Sequence, residues 1–271
     1  MTIFQALLLG LVQGLTEFLP VSSSGHLVLA ERLLGIASTN LRFEVAVHLA
    51  TAVAVCLAYR RKIGKLIKAV FRARVYPEKG RIRVSDENLR LVLLLILATV
   101  PGALFGYLLG DLVERAFSSP VAVSICLLAT GAALFGTRFV ARHDRPINRW
   151  RALAIGLTQA VAILPGISRS GSTIAAGIYA GLKQEKAAEF SFLLSVPIIL
   201  GAGLVKLKDI GQASLPGPEL AAIAIGSVTA GLFGFMAIKW LLKIIRRGRL
   251  DAFAYYCWFV GIMGILWFTT H

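Results

Sequence analysis

The chain has 271 residues, of which 57% are hydrophobic and only 16% are charged, and its mean hydropathy is +0.75. Soluble domains average about 25% charged residues, so this composition excludes an ordinary soluble protein. The formal net charge is +15. The basic residues lie between apolar segments, which is typical of loops that orient a membrane protein, and nucleic-acid binding is not expected. Cys56, Cys126 and Cys257 lie in apolar segments without metal-ligand spacing, which indicates buried reduced thiols.

The N-terminal stretch, about 1–35, is apolar but interrupted. Its motif GLTEFLPVSSSGHL, from Gly14 to Leu27, places a carboxylate, a proline, three hydroxyls and an imidazole where a membrane helix is expected. No Lys or Arg precedes Arg32, so the basic region of a cleavable signal peptide is not expected.

Uninterrupted apolar segments of membrane-spanning length follow, and about 20 residues suffice to cross the ~30 Å hydrocarbon core. A second interrupted stretch, about 152–182, divides them into two sets. The predicted spanning segments are Phe43–Tyr59, Leu91–Gly110, Ala116–Thr137, Ala187–Val205, Leu220–Ile238 and Ala252–Thr270. The sequence therefore predicts one all-α polytopic membrane domain over 1–271, with repeat one at about 1–137 and repeat two at about 152–270.

Three clusters of Lys and Arg predict the orientation of these segments. They lie in 60–90, 138–151 and 239–249, whereas connections such as Asp111–Arg115 and Lys206–Gly217 carry few basic residues. All three clusters face the cytoplasm only if each interrupted stretch dips into the membrane and returns. We therefore expect six transmembrane helices plus two re-entrant helical hairpins that enter from opposite sides.

The two interrupted stretches also resemble each other. GLVQ at Gly10–Gln13 matches GLTQ at Gly156–Gln159, and FLPVSSSG at Phe18–Gly25 matches ILPGISRSG at Ile163–Gly171 with one residue of slippage. Broken helices are tolerated at membrane depth where they line a cavity. The pattern predicts an inverted-topology repeat whose hairpins meet near the midplane.

The first motif carries polar groups on one helix face and in the turn that follows. Gln13 and Glu17 are four residues apart and share a face, and Pro20 ends the helix. The remaining polar residues of this motif are Ser22, Ser23, Ser24 and His26.

The second motif gathers hydroxyls around an arginine, and it contains Ser168, Arg169, Ser170, Ser172 and Thr173. Hydroxyls and a guanidinium at a helix N-terminus indicate an anion site, with phosphate as the natural ligand.

Structural alternatives exist for each of these groups. The Ser and Gly residues could serve helix packing, Glu17 and Arg169 could form a structural ion pair, and His26 could be a buried, satisfied imidazole. Ionisable residues inside membrane segments are costly, however, and together they favour a functional site. Glu44 and His48 share a face of the next segment and are secondary candidates.

Glu189 has the same secondary status in the second half. Pro101 and Pro197, each followed by small residues, are expected to kink helices around the site.

QGLTEFLPVSSSGHL and LPGISRSGSTI resemble the two signature motifs of the bacterial undecaprenyl-pyrophosphate phosphatases of the bacitracin-resistance family. The run SFLLSVP at Ser191–Pro197, the length and the basic loop also agree, so the resemblance covers essentially the whole chain. Gln13 stands where some members carry a second glutamate, which places a two-carboxylate metal site in doubt.

The resemblance implies hydrolysis of undecaprenyl pyrophosphate to the monophosphate and phosphate at the outer face of the plasma membrane. This reaction recycles the lipid carrier for peptidoglycan and other cell-wall polymers and confers bacitracin resistance. The implied partners are the polyprenyl pyrophosphate lipid and the bilayer, and a homodimer is left open. The implied catalytic residues are Glu17, Ser23, His26 and Arg169; the substrate-binding residues are Ser22, Ser24, Ser168, Arg169, Ser170 and Thr173; and Glu17 with Gln13 would hold Mg²⁺ or Ca²⁺.

Two nucleophiles are compatible with this chemistry: Ser23 with His26 as its base, or water with His26 or Glu17 as base. Two other functions match parts of the sequence. Ser24-Gly25-His26 resembles part of the type-2 phosphatidic acid phosphatase signature, but the His and Asp that should follow Ser168-Arg169 are lacking. A polyprenyl-phosphate transporter or flippase with the same anion site is the alternative from another class.

Overall fold

A computed structural model describes residues 1–36, 41–72, 75–78, 81–84, 86–108, 110, 119–141, 143–207 and 217–270. Helices account for most of these residues. They are α1 (Ile3–Phe18), α2 (Ser23–Leu33), α3 (Leu41–Ala58), α4 (Arg60–Phe71), α5 (Glu87–Leu108), α6 (Pro120–Gly136), α7 (Arg149–Val161), α8 (Arg169–Tyr179), α9 (Gln184–Leu207), α10 (Gly217–Arg246) and α11 (Asp251–Thr270), with a 3₁₀ turn at Thr137–Phe139.

Six helices in the described part of the chain are long and apolar enough to cross a membrane. They are α3, α5, α6 with its 3₁₀ turn, α9, α10 and α11, and they coincide with the six predicted spanning segments. The prediction of an all-α polytopic membrane protein is therefore confirmed. Helix α6 begins at Pro120, a residue suited to the first helical turn. The predicted start at 116 and the connections at 111–115 and 208–216 lie outside the described residues.

Each interrupted stretch forms two helices joined by a short turn. Helix α1 ends at Phe18 because Leu19, its C-cap, is extended and Pro20 follows, and α2 begins five residues after Phe18, at Ser23. In the second stretch the turn 162–168 separates α7 from α8. The re-entrant membrane topology of these hairpins stays a prediction.

The first helix of each hairpin packs tightly against a long helix of the other repeat. Helix α1 lies against α10, and α7 lies against α5. A Cβ atom at Gly10 would overlap the backbone carbonyl of Gly226, and one at Gly156 would lie 2.5 Å from the carbonyl oxygen of Ala98. Glycine at these positions lets the backbones touch. The inverted topology of the two repeats stays a prediction.

The first basic loop contains a helix and a pair of short strands in addition to the predicted spanning segments. Helix α4 places Leu66 and Ala69 on a buried face, between exposed Lys and Arg positions. Strands β1 (Val75–Glu78) and β2 (Arg81–Val84) then pair antiparallel. These two short strands do not change the fold class.

Pro101 and Pro197 lie inside α5 and α9, respectively, as expected from the apolar runs that contain them. The kinks that we expect there stay a prediction. Phe18, the last residue of α1, packs edge-on against Phe192 of α9, with ring centroids 5.8 Å apart. This contact is part of the main hydrophobic core, which therefore lies directly beside the turn of the first hairpin.

Candidate active site

The tips of the two hairpins are in direct contact. Gly25 lies in the first hairpin, and Gly166 lies in the turn of the second. A Cβ atom at Gly25 would lie 3.0 Å from the Cα atom of Gly166. The hydroxyl of Ser170 donates a hydrogen bond to the carbonyl oxygen of Leu19 at 2.9 Å. The contacts bring motif one and motif two together, as the sequence predicted.

Helices α2 and α8 begin in the same way. The hydroxyl of Ser22 accepts a hydrogen bond from the backbone N–H of Gly25 at 3.2 Å, and that of Ser168 accepts one from Gly171 at 3.0 Å. Serine is a preferred N-cap because its oxygen satisfies an N–H group that has no partner within the helix. Ser23 and Arg169 are consequently the first residues of these two helices.

The side chain of Glu17 lies between these two helix starts. It forms an ion pair with the guanidinium of Arg169 through Oε1. Its other oxygen, Oε2, accepts hydrogen bonds from Nε2 of Gln13 at 3.0 Å and from the hydroxyl of Ser23 at 2.5 Å. The Glu17 side chain is only 5% exposed. A carboxylate this deeply buried requires such partners, and nearby helix N-termini also favour negative charge.

Arg169 has hydrogen-bonding capacity left over. Its Nη2 atom contacts Glu17, but its Nη1 atom is buried and has no hydrogen-bond partner among the described residues. An unsatisfied buried guanidinium nitrogen is uncommon in folded proteins. The predicted structural ion pair is therefore present, and it leaves donors with which Arg169 can bind a phosphate.

His26 faces away from this cluster. Its Nδ1 atom lies 2.9 Å from the carbonyl oxygen of Ser22 and its Nε2 atom 3.0 Å from the hydroxyl of Tyr256. The imidazole also stacks on the Tyr256 ring, with centroids 5.6 Å apart. Both ring nitrogens are thus engaged, and the described hydrogen bonds join Ser23 to Glu17 rather than to His26. The catalytic role of His26 stays a prediction.

The other predicted hydroxyls contribute mainly to the structure of the hairpin tips. Ser24 contacts Ser22 at 3.4 Å, and Ser168 contacts Ser170 at 3.2 Å. The hydroxyl of Thr173 lies 2.6 Å from that of Ser191 on α9. Ser22, Ser168, Ser170, Ser172 and Thr173 are all buried. These contacts fix the helix starts around Glu17, and direct binding of substrate by these hydroxyls stays a prediction.

Of the secondary candidates, His48 is the one that reaches the site. Its Nε2 atom lies 3.9 Å from Oε2 of Glu17. Glu44, one turn earlier, contacts Lys206 at 3.5 Å, and Glu189 contacts Lys62 at 3.4 Å. The spacing of Glu44 and His48 indicated a shared face, but only the packing of α3 beside α1 brings His48 to Glu17.

The site offers oxygen donors that fit a divalent cation in part. Oε1 of Gln13 is buried and has no partner among the described residues, and Glu17 supplies a carboxylate beside it. Within the described ranges, no group of three or more His, Cys, Asp or Glu side chains is placed to hold a metal ion. A cation here would therefore share its coordination with the amide, hydroxyls, water or substrate oxygens, as Mg²⁺ commonly does.

These features define an integral membrane protein with a buried, charge-paired site between two helical hairpins. The chain belongs to the family described as bacitracin resistance protein BacA, which matches residues 6–263.

Three relatives are similar over nearly the full length of both chains. Each is named undecaprenyl-diphosphatase. The protein from Halothermothrix orenii is 40% identical over 98% of both chains. That from Desulfatibacillum aliphaticivorans is 40% identical over 95% of both, and that from Methanobrevibacter smithii is 43% identical over 100% of this chain and 99% of its own.

Proposed function

We propose that this protein is an undecaprenyl-diphosphatase, which hydrolyses undecaprenyl pyrophosphate to undecaprenyl phosphate and inorganic phosphate. The names of the relatives support this function. The observation that carries it is the cluster in which Glu17 contacts both Arg169 and Ser23, the first residues of two facing helices. The product is the lipid carrier of cell-wall polymers, so the enzyme would support peptidoglycan synthesis and bacitracin resistance.

Arg169 would bind the pyrophosphate. Its free Nη1 donor and the N-terminus of α8 favour an anionic group at the same place. Phosphoryl transfer depends mostly on positioning and on neutralising charge. The guanidinium would therefore hold the terminal phosphate and stabilise the charge that develops on it.

Ser23 is our candidate nucleophile because its hydroxyl already donates to the Glu17 carboxylate at 2.5 Å. In this step Ser23 Oγ bonds to the terminal phosphorus, its proton passes to Glu17, and the bridging P–O bond breaks. The leaving group is polyprenyl monophosphate. Water then cleaves the phosphoserine, which releases phosphate and restores the serine. The alternative, direct attack by water, predicts no covalent intermediate.

A divalent cation would be held by Glu17 together with Oε1 of Gln13, whose lack of a partner among the described residues supports this assignment. Oxygen donors of this kind suit Mg²⁺ or Ca²⁺. When bound, the cation would neutralise part of the pyrophosphate charge. The chain's own contribution is to orient the carboxylate through Arg169, Gln13 and Ser23.

We place the enzyme in the plasma membrane with its site open to the outer face. The three basic clusters support this orientation because Lys- and Arg-rich loops remain in the cytoplasm. The site and the lipid tail would then lie in the same membrane, so the head group can be hydrolysed while the tail stays anchored.

The test is phosphate release from farnesyl or undecaprenyl pyrophosphate by the purified protein in detergent. We expect release by the wild type and its loss in Glu17→Ala and Arg169→Ala. The matched control is Glu189→Ala, because Glu189 pairs with Lys62 outside the site. Substrate binding without release would instead favour the lipid transporter, to which the names of the relatives give no support.

A further inference from the structure

His48 is the imidazole with a nitrogen directed at the Glu17 cluster. Its Nδ1 atom lies 2.8 Å from the backbone carbonyl oxygen of Glu44. A carbonyl oxygen only accepts hydrogen bonds, so Nδ1 must carry the ring proton. In the neutral ring, Nε2 is then the nitrogen with a lone pair, and it is the atom that lies 3.9 Å from Oε2 of Glu17.

A carboxylate oxygen and a lone pair do not attract each other, whereas a metal cation between them would be attracted by both. Adjacent ligands that lie ~2.1 Å from one cation are about 3.0 to 3.4 Å apart in octahedral or tetrahedral geometry. Nε2 and Oε2 lie 3.9 Å apart, so a small movement of the two side chains would bring both atoms to one cation. Metal-binding histidines commonly donate their other N–H to a backbone carbonyl, as His48 does to Glu44.

A second observation points to the same ligand. Gln13 is fully buried, its Nε2 atom contacts the same Oε2 oxygen of Glu17, and its Oε1 atom has no partner in the described part of the chain. If a cation occupied the space beside Glu17, the amide could turn so that its oxygen faces the cation. One carboxylate, one amide and one imidazole would then converge on it.

We infer that His48 binds the divalent cation through Nε2, together with Glu17 and Gln13. This inference rests on the proposed function, which places a cation in this site. It adds a nitrogen donor to what is otherwise an oxygen site. Ca²⁺ prefers six to eight oxygen ligands, so a site with few oxygen donors and one nitrogen donor should bind the smaller ion Mn²⁺ more tightly than Ca²⁺. The His48 side chain is 34% exposed, so it is not enclosed by protein on every side.

His26 supplies the matched control because it is the other imidazole near the hairpin tips. Its Nε2 atom is already engaged by the hydroxyl of Tyr256 at 3.0 Å, and it has no contact with Glu17 among the described hydrogen bonds and ion pairs. Replacing either histidine by Gln removes an imidazole and keeps a polar side chain of similar size. The His48→Gln and His26→Gln variants therefore differ chiefly in which nitrogen is lost.

The experiment is a titration of the purified full-length protein, without a histidine tag, with Mn²⁺ and no substrate. Electron paramagnetic resonance measures free Mn²⁺, and spin-echo modulation detects an imidazole nitrogen bound to the metal. We expect a ¹⁴N signal in the wild type and in His26→Gln, and its loss in His48→Gln. The His48→Gln change should also weaken Mn²⁺ binding at least about 10-fold while altering Ca²⁺ affinity less, as measured by competition.

Three results would overturn the inference: no Mn²⁺ binding by the wild type, no ¹⁴N signal from bound Mn²⁺, or a signal that persists in His48→Gln. Phosphate release measured on the same preparations separates this inference from the proposed function. Phosphate release without a ¹⁴N signal would contradict only metal binding by His48. A ¹⁴N signal without phosphate release would contradict the proposed hydrolase activity and would still support the metal site.

Discussion

Arg169 and Glu17 are 152 residues apart in the chain, yet their side chains form a buried ion pair between the two hairpins. Each comes from a different half of the molecule, so neither hairpin alone contains the site. The pair fixes the carboxylate while leaving Nη1 of Arg169 without a partner among the described residues. A structural ion pair alone would not need that second, unsatisfied nitrogen.

We therefore expect Arg169→Lys to reduce phosphate release about 10- to 100-fold, although lysine keeps the positive charge. Lysine is a compact point charge and cannot contact Glu17 and a phosphate through a planar pair of N–H donors. One lost charge-assisted hydrogen bond of ~1.5–3 kcal/mol corresponds to that range. Steady-state assays of kcat and KM check the prediction.

The control is Arg247→Lys, since Arg247 is exposed and lies in the third basic cluster. It should leave kcat and KM unchanged. Full activity in Arg169→Lys would contradict the proposed phosphate contact and leave a purely structural ion pair.

Ser23→Ala tests the nucleophile. If Ser23 forms the phosphoserine, its removal should lower kcat at least about 100-fold, because the covalent route is lost and only water remains. Rapid quenching of the wild type with substrate labelled in its terminal phosphate should trap label on the protein. Thr269→Ala, which removes an exposed hydroxyl from the last turn of α11, should trap the same amount.

Turnover of Ser23→Ala close to that of the wild type would refute the serine mechanism and favour attack by water. In that case Ser23 would serve only to orient Glu17 through its 2.5 Å hydrogen bond.

The sequence predicted the helices better than it predicted the use of the polar groups. Long apolar runs have few alternatives to membrane helices, because backbone groups in lipid must bond internally. The hydroxyls of Ser168 and Ser170 cap α8 and join the two tips, and their contact with phosphate stays a prediction. The same chemistry serves a helix N-terminus and an anion, so the residue types alone could not separate the two uses.

The position of His48 in the site is a feature that the sequence could not predict. Its spacing from Glu44 indicated a common helix face, but no local pattern fixes how close α3 comes to α1. The 3.9 Å approach of His48 to Glu17 results from packing between helices that are separate in sequence. Only the assembled bundle therefore shows that His48 belongs to the site.

Gly10→Ala and Gly156→Ala test whether the two hairpins pack equivalently. At each position a Cβ atom would press against backbone of α10 or α5, which cannot move aside as a flexible side chain could. We expect both variants to lower the Tm in detergent, by similar amounts, because overpacking typically costs about 1–3 kcal/mol.

Gly64→Ala is the matched control. Gly64 lies in α4, and a Cβ atom there would meet nothing within 4 Å. Alanine in a helix interior is about 0.5–1 kcal/mol better than glycine, so its Tm should stay the same or rise. A loss of Tm in only one of the two hairpin variants would contradict equivalent packing.

Single cysteines in a cysteine-free background test the re-entrant topology. Thr2 and Gly35 flank the first hairpin, His143 and Lys183 flank the second, and all four positions are exposed. A membrane-impermeant maleimide should label Thr2→Cys and Gly35→Cys in intact cells. It should label His143→Cys and Lys183→Cys only after permeabilisation, because both flanks of a re-entrant hairpin lie on one side. Labelling of the two flanks of one hairpin from opposite sides would show that the hairpin spans the membrane.

Ser22 and Ser168 cap equivalent helices but have different backbone conformations. This difference predicts opposite changes in Tm when each serine is replaced by glycine. The φ angle of Ser22 is +69°, in the left-handed region that glycine adopts at no steric cost. Glycine at an N-cap costs only a few tenths of a kcal/mol, whereas a non-glycine residue held in such a conformation costs about 1–3 kcal/mol. Ser22→Gly should therefore keep or raise the Tm.

Ser168 has a φ angle of −68°, so glycine relieves no strain there and adds backbone freedom to the unfolded chain. Ser168→Gly should lower the Tm, and the two variants should differ by the equivalent of about 1 kcal/mol or more. Ser22→Gly should nevertheless reduce phosphate release, because the strained turn fixes Ser23 against Glu17. An equal loss of Tm in both variants would show that Ser22 is unstrained and that its hydroxyl alone stabilises the turn.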